Sequence, residues 1–340
     1  MQHCGNRRVS CELVLGAAMD SSGVGRAPKA RSLRSLPTFF VVGPPRTGTS
    51  WLHEVLREHT YLPHPAKETR FFDAHFHRGI SWYQAHYCHA RSDRPLGEIA
   101  PTYFASAPAR ERIAHLVPEA KVICIFRNPV ERILSLYRLK CAYGMIRWSL
   151  EEAIIKDPEL TQSSQYATNL KAWQRALGAK QVLATFYDDL RDNPQTYIDA
   201  VAGFIGVPRF VLTHRHIRQV HASKAMTYPR NYYWTRSATT IANWFKAKRL
   251  HVVVAKIKNS PMAGLFLGGG PVFTDISREL SLSICELCRH EVEDLEALLN
   301  RDLSAWKRDN LSSHEIDTTD LFSKQLPMVK RLPAENLPDC

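Results

Sequence analysis

Residues 39–52 read Phe39-Phe40-Val41-Val42-Gly43-Pro44-Pro45-Arg46-Thr47-Gly48-Thr49-Ser50-Trp51-Leu52, and this stretch decides the fold. Four apolar, β-prone residues run into a loop with two glycines, and an amphipathic helical pattern follows. A strand, a Gly-containing loop and a helix start aim several backbone N–H groups at one point, which makes an anion site. Gly43 and Gly48 have the spacing of the nucleotide loop G-x-x-x-x-G-K-[ST], but Thr49 stands where that loop has Lys. The only cation of the loop is Arg46. A phosphoryl-transfer enzyme uses that Lys to clamp the β- and γ-phosphates, so its loss points to a nucleotide with a different leaving group. The plainer alternative is a strand–turn–helix with a solvated Arg46. The coincidence of strand, spaced glycines, hydroxyls and cation argues against it.

Working outward, Thr38–Gly43, Lys121–Phe126 and Val182–Tyr187 read as buried strands, and Glu98–Ile99 as a shorter one. Helical patterns follow the long strands, so an α/β fold with a parallel sheet and crossover helices is expected. Asn128 is placed as an N-cap, Pro129 as the first helical residue, Glu131 three residues after the cap, and Gly144 as the stop. Ser149 and Glu152 repeat the device. Gln195–Ile205 and Ser277–Leu299 also carry helical spacing. A second anion site is expected at the end of the Lys121–Phe126 strand. There Arg127 meets a helix N-terminus, and Ser135 lies two turns along that helix. Read alone, Arg127 is better explained by an ion pair with Glu131 or Glu98, and Ser135 as an ordinary helix position.

Together, the two loops resemble the sulfotransferases that use 3′-phosphoadenosine 5′-phosphosulfate (PAPS), in the bacterial and carbohydrate-modifying branch related to the heparan-sulfate enzymes. The resemblance implies a P-loop NTPase-like three-layer sandwich, a central parallel sheet flanked by helices, over residues 37–309. It implies that Arg46, Thr47, Gly48, Thr49, Ser50 and Trp51 hold the 5′-phosphosulfate, with Arg46 also in the catalytic set, and that Arg127 and Ser135 hold the 3′-phosphate. Lys224 and Arg230 are the candidates for a late basic loop over the 3′-phosphate and adenine, although a solvated loop explains them equally. The donor is a co-substrate, and no metal is required.

Pro65-Ala66-Lys67-Glu68-Thr69-Arg70-Phe71-Phe72 is similar to the family's Lys-Glu-x-x-Phe-Phe motif. By that resemblance Glu68 is the general base for the acceptor hydroxyl or amine, and Lys67 a charge partner near the donor. Without it, Glu68 reads as a surface carboxylate paired with Lys67 or Arg70. Phe71, Phe72 and Tyr103 are expected in the core. In Gly97-Glu98-Ile99-Ala100-Pro101-Thr102-Tyr103-Phe104, Ile99 stands where the heparan-sulfate branch often has a Lys that stabilises the transferring group. Lys67 or Arg46 is expected to cover that charge.

The chain has 340 residues, with 45 Lys and Arg against 33 Asp and Glu, hence a formal charge of +12. Ordinary globular composition excludes wholesale disorder. The charge suits nucleic acid, an anionic membrane or an anionic ligand. Competing readings are a P-loop nucleotide kinase or NTPase, which Thr49 opposes, and a basic nucleic-acid-binding protein, for which charge is the only signal. The partner expected is a small-molecule or glycoconjugate acceptor, with no nucleic acid. Lys246, Lys248, Arg249, His251, Lys256 and Lys258 interleave with Trp244, Phe245 and Val252–Val254. This allows weak membrane-surface contact or an anionic-acceptor face, against the default of a solvated helix. Residues 1–36 are expected to be a disordered leader or to precede the true start, and 310–340 a loosely ordered tail. No apolar run reaches the length of a membrane span. The eight scattered cysteines fit a reducing compartment, and a cytoplasmic location is expected.

Overall fold

Phe39–Gly43 forms β1, and all five residues are buried. A strand buried on both faces needs a helical layer on each side. β1 lies inside a four-stranded sheet of order β2-β1-β3-β4, where β2 is Gly97–Ile99, β3 is Lys121–Phe126 and β4 is Val182–Phe186. All three pairings are parallel. A computed structural model of the chain describes residues 36–221, 227–247, 254 and 269–307. The expected leader, except residue 36, the expected tail and Lys224 lie outside the described residues.

The helices are α1 (Thr49–Leu56), α2 (Ile80–Gln84), α3 (Ala107–Leu116), α4 (Pro129–Ala142), α5 (Leu150–Lys156), α6 (Pro158–Gln162), α7 (Tyr166–Leu177), α8 (Tyr187–Asp192), α9 (Pro194–Ile205) and α10 (His214–His221). The antiparallel pair β5 (Thr227–Pro229) and β6 (Gly269–Val272) brackets α11 (Tyr232–Ala247), and α12 (Arg278–Leu299) follows.

The punctuation read from the sequence is realised. Asn128 Oδ1 accepts from the Val130 and Glu131 N–H groups, and Pro129 opens α4. Ser149 and Glu152 form a capping box at α5. At α4 the Glu131 carboxylate does not return to its cap. It pairs instead with Arg127 at 2.9 Å. Tyr187, expected to end a strand, begins α8.

Alternate strand residues feed opposite layers, because successive side chains on a strand point to opposite faces. Phe40, Val42, Val122, Cys124 and Phe126 meet Ile113 of α3, Trp173 of α7 and Val292 and Leu295 of α12. Phe39, Val41, Ile123 and Ile125 meet Leu52, Val55 and Leu56 of α1 and Ile198 and Val201 of α9. The result is the expected three-layer α/β sandwich. From β1 the chain moves to one side for β2 and to the other for β3. The β1/β3 edge is therefore the point where strand order reverses, and ligands of open α/β sheets bind at the carboxyl ends of such strands.

Trp173 is fully buried and its Nε1 donates to the Phe104 carbonyl at 3.0 Å. Trp173→Ala removes the largest side chain of one layer and orphans that carbonyl. It is expected to cost about 3–5 kcal/mol in denaturant unfolding; a loss below about 1 kcal/mol contradicts this core assignment.

Candidate active site

The loop after β1 is shaped by its glycines. Gly43 has φ +89°, and a Cβ there would lie 2.9 Å from Pro101. Gly48 has φ +90°, and its Cβ would lie 2.7 Å from Leu190 and 3.2 Å from the Tyr187 ring. Between them Arg46 itself sits at φ +74°, a conformation that costs free energy for a non-glycine residue and recurs at ligand clamps. Thr47 is buried, and its hydroxyl donates to the Pro44 carbonyl at 2.7 Å, which pins the turn. α1 starts without a side-chain cap on its first N–H groups, leaving donors for an anion.

The Trp51 indole is buried. Its Nε1 donates to the His216 carbonyl of α10 at 2.8 Å, so only the backbone N–H of Trp51 is available to the loop. Ser50 is exposed, and its Oγ accepts from Lys67 Nζ at 2.9 Å. The lysine missing from the loop sequence thus arrives at the loop from another segment.

The fold brings the two expected anion sites together. Arg46 Nε donates to Ser135 Oγ at 2.9 Å, and an Arg127 Nη donates to the Arg46 carbonyl at 3.3 Å. Arg127 is held by Glu131 and lies 4.6 Å over the Tyr187 ring. Burial and the like charge of Arg127 lower the Arg46 pKa from its ordinary value. Of the plain partners considered for Arg127, Glu131 is realised and Glu98 is not.

Glu98 instead lies under the Lys67–Glu68 segment. It is fully buried and accepts from the Thr69 N–H (3.0 Å), the Thr69 hydroxyl (2.5 Å), Tyr83 OH (2.7 Å) and Tyr103 OH (3.3 Å). Burial raises its pKa to about 6, against hydrogen bonds from Thr69, Tyr83 and Tyr103 that lower it. Phe71 stacks on Tyr83 at 4.5 Å, and Phe72 packs edge-on against Phe40 at 5.5 Å. These contacts fasten the chain beside half-buried Glu68. Phe71, Phe72 and Tyr103 are core residues, as expected.

An isolated parallel bridge, Tyr61 to Leu96, ties the segment after α1 to the start of β2. This creates a cleft of about 300 Å³ lined by His53, Arg57, His64, Lys67, His89 and Arg94 among others. Burial, then the Lys67 charge, push His53 down to about 4, so it is neutral at pH 7. The sequence reading did not assemble this cleft. Arg230 is exposed, and its Nε donates to the Gly269 carbonyl at 3.2 Å, within the β5–β6 pair.

A Gly loop with a bare helix start, and two guanidiniums converging at the reversal point of a parallel sheet, define an α/β enzyme site for a phosphate-bearing group. Residues 36–243 match the profile of the sulfotransferase domain, and the chain belongs to that family. It is 30% identical over 214 residues to the bovine bifunctional heparan sulfate N-deacetylase/N-sulfotransferase 2, which covers 56% of this chain and 24% of that protein. It is 32% identical over 196 residues to the mouse enzyme numbered 4, which covers 51% and 22%. The match thus spans about a quarter of the length of these relatives. A sulfotransferase structure from Alicyclobacillus acidocaldarius superposes with TM-score 0.59 at 21% identity, covering 81% of this chain and 100% of that one, and shares the fold. The resemblance stated from the two loops is borne out.

Glu98 gives a pH test. Its folded pKa lies above its ordinary value, so the native state binds the proton more tightly than the unfolded chain. The contribution of Glu98 to stability is therefore greatest at low pH and falls by about 2 kcal/mol as pH rises through about 4.5 to 6. Glu98→Gln is expected to lose this slope. Urea unfolding of both proteins at pH 4.5 and 7 checks it; parallel pH profiles would show that burial does not strain this carboxylate.

Proposed function

We propose that this chain transfers the sulfuryl group of PAPS to a hydroxyl or amine of a carbohydrate or glycoconjugate acceptor by in-line displacement. The observation that carries the reading is the junction of Arg46, Ser135 and Arg127, which turns two motifs far apart in sequence into one site for a doubly phosphorylated nucleotide. Arg46, with the N–H groups of Thr47, Gly48, Thr49, Ser50 and Trp51, takes the 5′-phosphosulfate. Arg127 and Ser135 take the 3′-phosphate. The loop carrying Lys224 and Arg230 is assigned to the 3′-phosphate and adenine on sequence order alone.

In the transfer, a bond forms between the acceptor oxygen or nitrogen and sulfur as the bond from sulfur to the 5′-phosphate oxygen breaks. The acceptor proton passes to the Glu68 carboxylate. The charge developing on the departing phosphate is met by Arg46, the loop N–H groups and Lys67. Glu98 positions Glu68 through Thr69. The cationic cleft beside Lys67 receives the acceptor, and the heparan sulfate relatives support a carbohydrate there. Free thiols at Cys88, Cys124, Cys141, Cys285 and Cys288 support a reducing, cytoplasmic setting.

Calorimetric titration with adenosine 3′,5′-bisphosphate tests the donor site. Arg46→Ala and Arg127→Ala are each expected to weaken binding by about 10- to 100-fold, the worth of a charge-assisted phosphate contact. A folded wild-type chain indifferent to this nucleotide would sink the reading. Glu68→Gln is expected to keep the nucleotide affinity and to lose about 10²–10⁴ in transfer of labelled sulfate from PAPS to a glycan panel. Undiminished turnover in Glu68→Gln would remove Glu68 as the base and leave Glu98 as the next carboxylate to test.

A further inference from the structure

Between Asp199 and Asp275 the chain contains no Asp or Glu and eleven Lys or Arg, nearly the whole of its net charge of +12. α11 lies in the middle of this stretch. Its inner face is small and polar. Thr235 is buried, Thr239 Oγ1 donates to the Tyr143 carbonyl at 2.9 Å, and the Tyr232–Arg236 backbone closes on Gly144. Its outer face carries the large apolar groups. Tyr233, Trp234, Ile241 and Trp244 are 67%, 65%, 55% and 57% exposed. Trp234, Ile241 and Trp244 are spaced by seven and three residues, which sets them along one stripe of the helix. Met145, 51% exposed, adjoins the helix, with its carbonyl accepting from Arg236. Arg147 donates to the Tyr233 hydroxyl at 3.3 Å.

A stripe of two indoles, a phenol and aliphatic groups inside a strongly cationic stretch selects its partner by charge. A second copy brings the same positive charge and is repelled. Indoles with an apolar body and a polar edge, on a helix flanked by Arg147 and carrying Arg236, match the headgroup level of an anionic bilayer. We propose that α11 docks lengthwise on an anionic phospholipid surface through Trp234, Ile241 and Trp244. The described residues contain no helix long and apolar enough to cross a membrane, so this contact lies on the surface. It stands independently of the donor site.

The test sediments the full chain with vesicles of phosphatidylcholine alone and of phosphatidylcholine mixed with phosphatidylglycerol. Binding is expected to the mixed vesicles only, to weaken with salt, and to fall by at least about tenfold in Trp234→Ser/Trp244→Ser. Brominated acyl chains are expected to quench tryptophan fluorescence in the wild type, and less in the double variant. Adenosine bisphosphate affinity serves as the check that the variant is folded. Absence of binding to mixed vesicles at low salt overturns the proposal. So does equal binding by the double variant, which would leave charge alone at work, and so does a concentration-dependent dimer abolished by the double variant. If neither protein binds the nucleotide but vesicle binding follows the indoles, the donor reading falls and this one stands.

Discussion

Two like charges held side by side organise this molecule. Arg46 and Arg127 leave from the ends of adjacent strands, and the parallel β1–β3 pairing brings their loops together. Only partial relief is built in: Glu131 pairs with one guanidinium, the Tyr187 face lies under it, and the Ser135 hydroxyl accepts from the other. The cost of this apposition is met in folding, before any donor arrives. A site so arranged needs little reorganisation when an anion binds, which is the condition under which fixed charges lower a barrier most. The left-handed backbone at Arg46 lies in the same turn, which the hydrogen bond from the Thr47 hydroxyl to the Pro44 carbonyl pins.

The loop sequence departs from a kinase loop at Thr49, and the fold brings a lysine of another segment beside it. Lys67 reaches Ser50 from the segment that also carries Glu68. The family position that often holds a Lys is filled here by Ile99, which is fully buried in the same cluster as Val41 and Leu52. That position has become part of the core, and the cation near the loop comes from Lys67. One segment therefore brings both this lysine and the proposed base, and Glu98 fixes it from beneath.

How much of this was legible in the sequence follows from range. The strands at 39–43 and 121–126, the Asn128 cap and the Ser149–Glu152 box depend on neighbours within a turn, and each could be read from the residues themselves. The pairing of Arg127 with Ser135 was implied by the family resemblance, and in the fold Ser135 accepts from Arg46 while Arg127 donates to the Arg46 carbonyl. The place of Glu98 was not legible. It was one of the two ion-pair partners considered for Arg127, but β2 and β3 flank β1 on opposite sides. Only strand order separates the two, and strand order is not a local property. The cleft of His53, His64, His89 and Arg94 failed to appear for the same reason. Its residues meet through one bridge, Tyr61 to Leu96, that leaves no periodic trace.

Charge behaves differently from geometry in this chain. The net charge of +12 invited assignment to the donor, yet the two loops that meet at Arg46 and Arg127 hold few cations and a compensating Glu131. The excess lies between residues 199 and 275, where no carboxylate offsets it. Recognition of a phosphate by hydrogen bonds about 3 Å long depends on the placement of single atoms. The field of a cation-rich stretch acts over about a Debye length and depends on the number of charges. Number and placement are thus separate properties of the charge, and composition reports only the first.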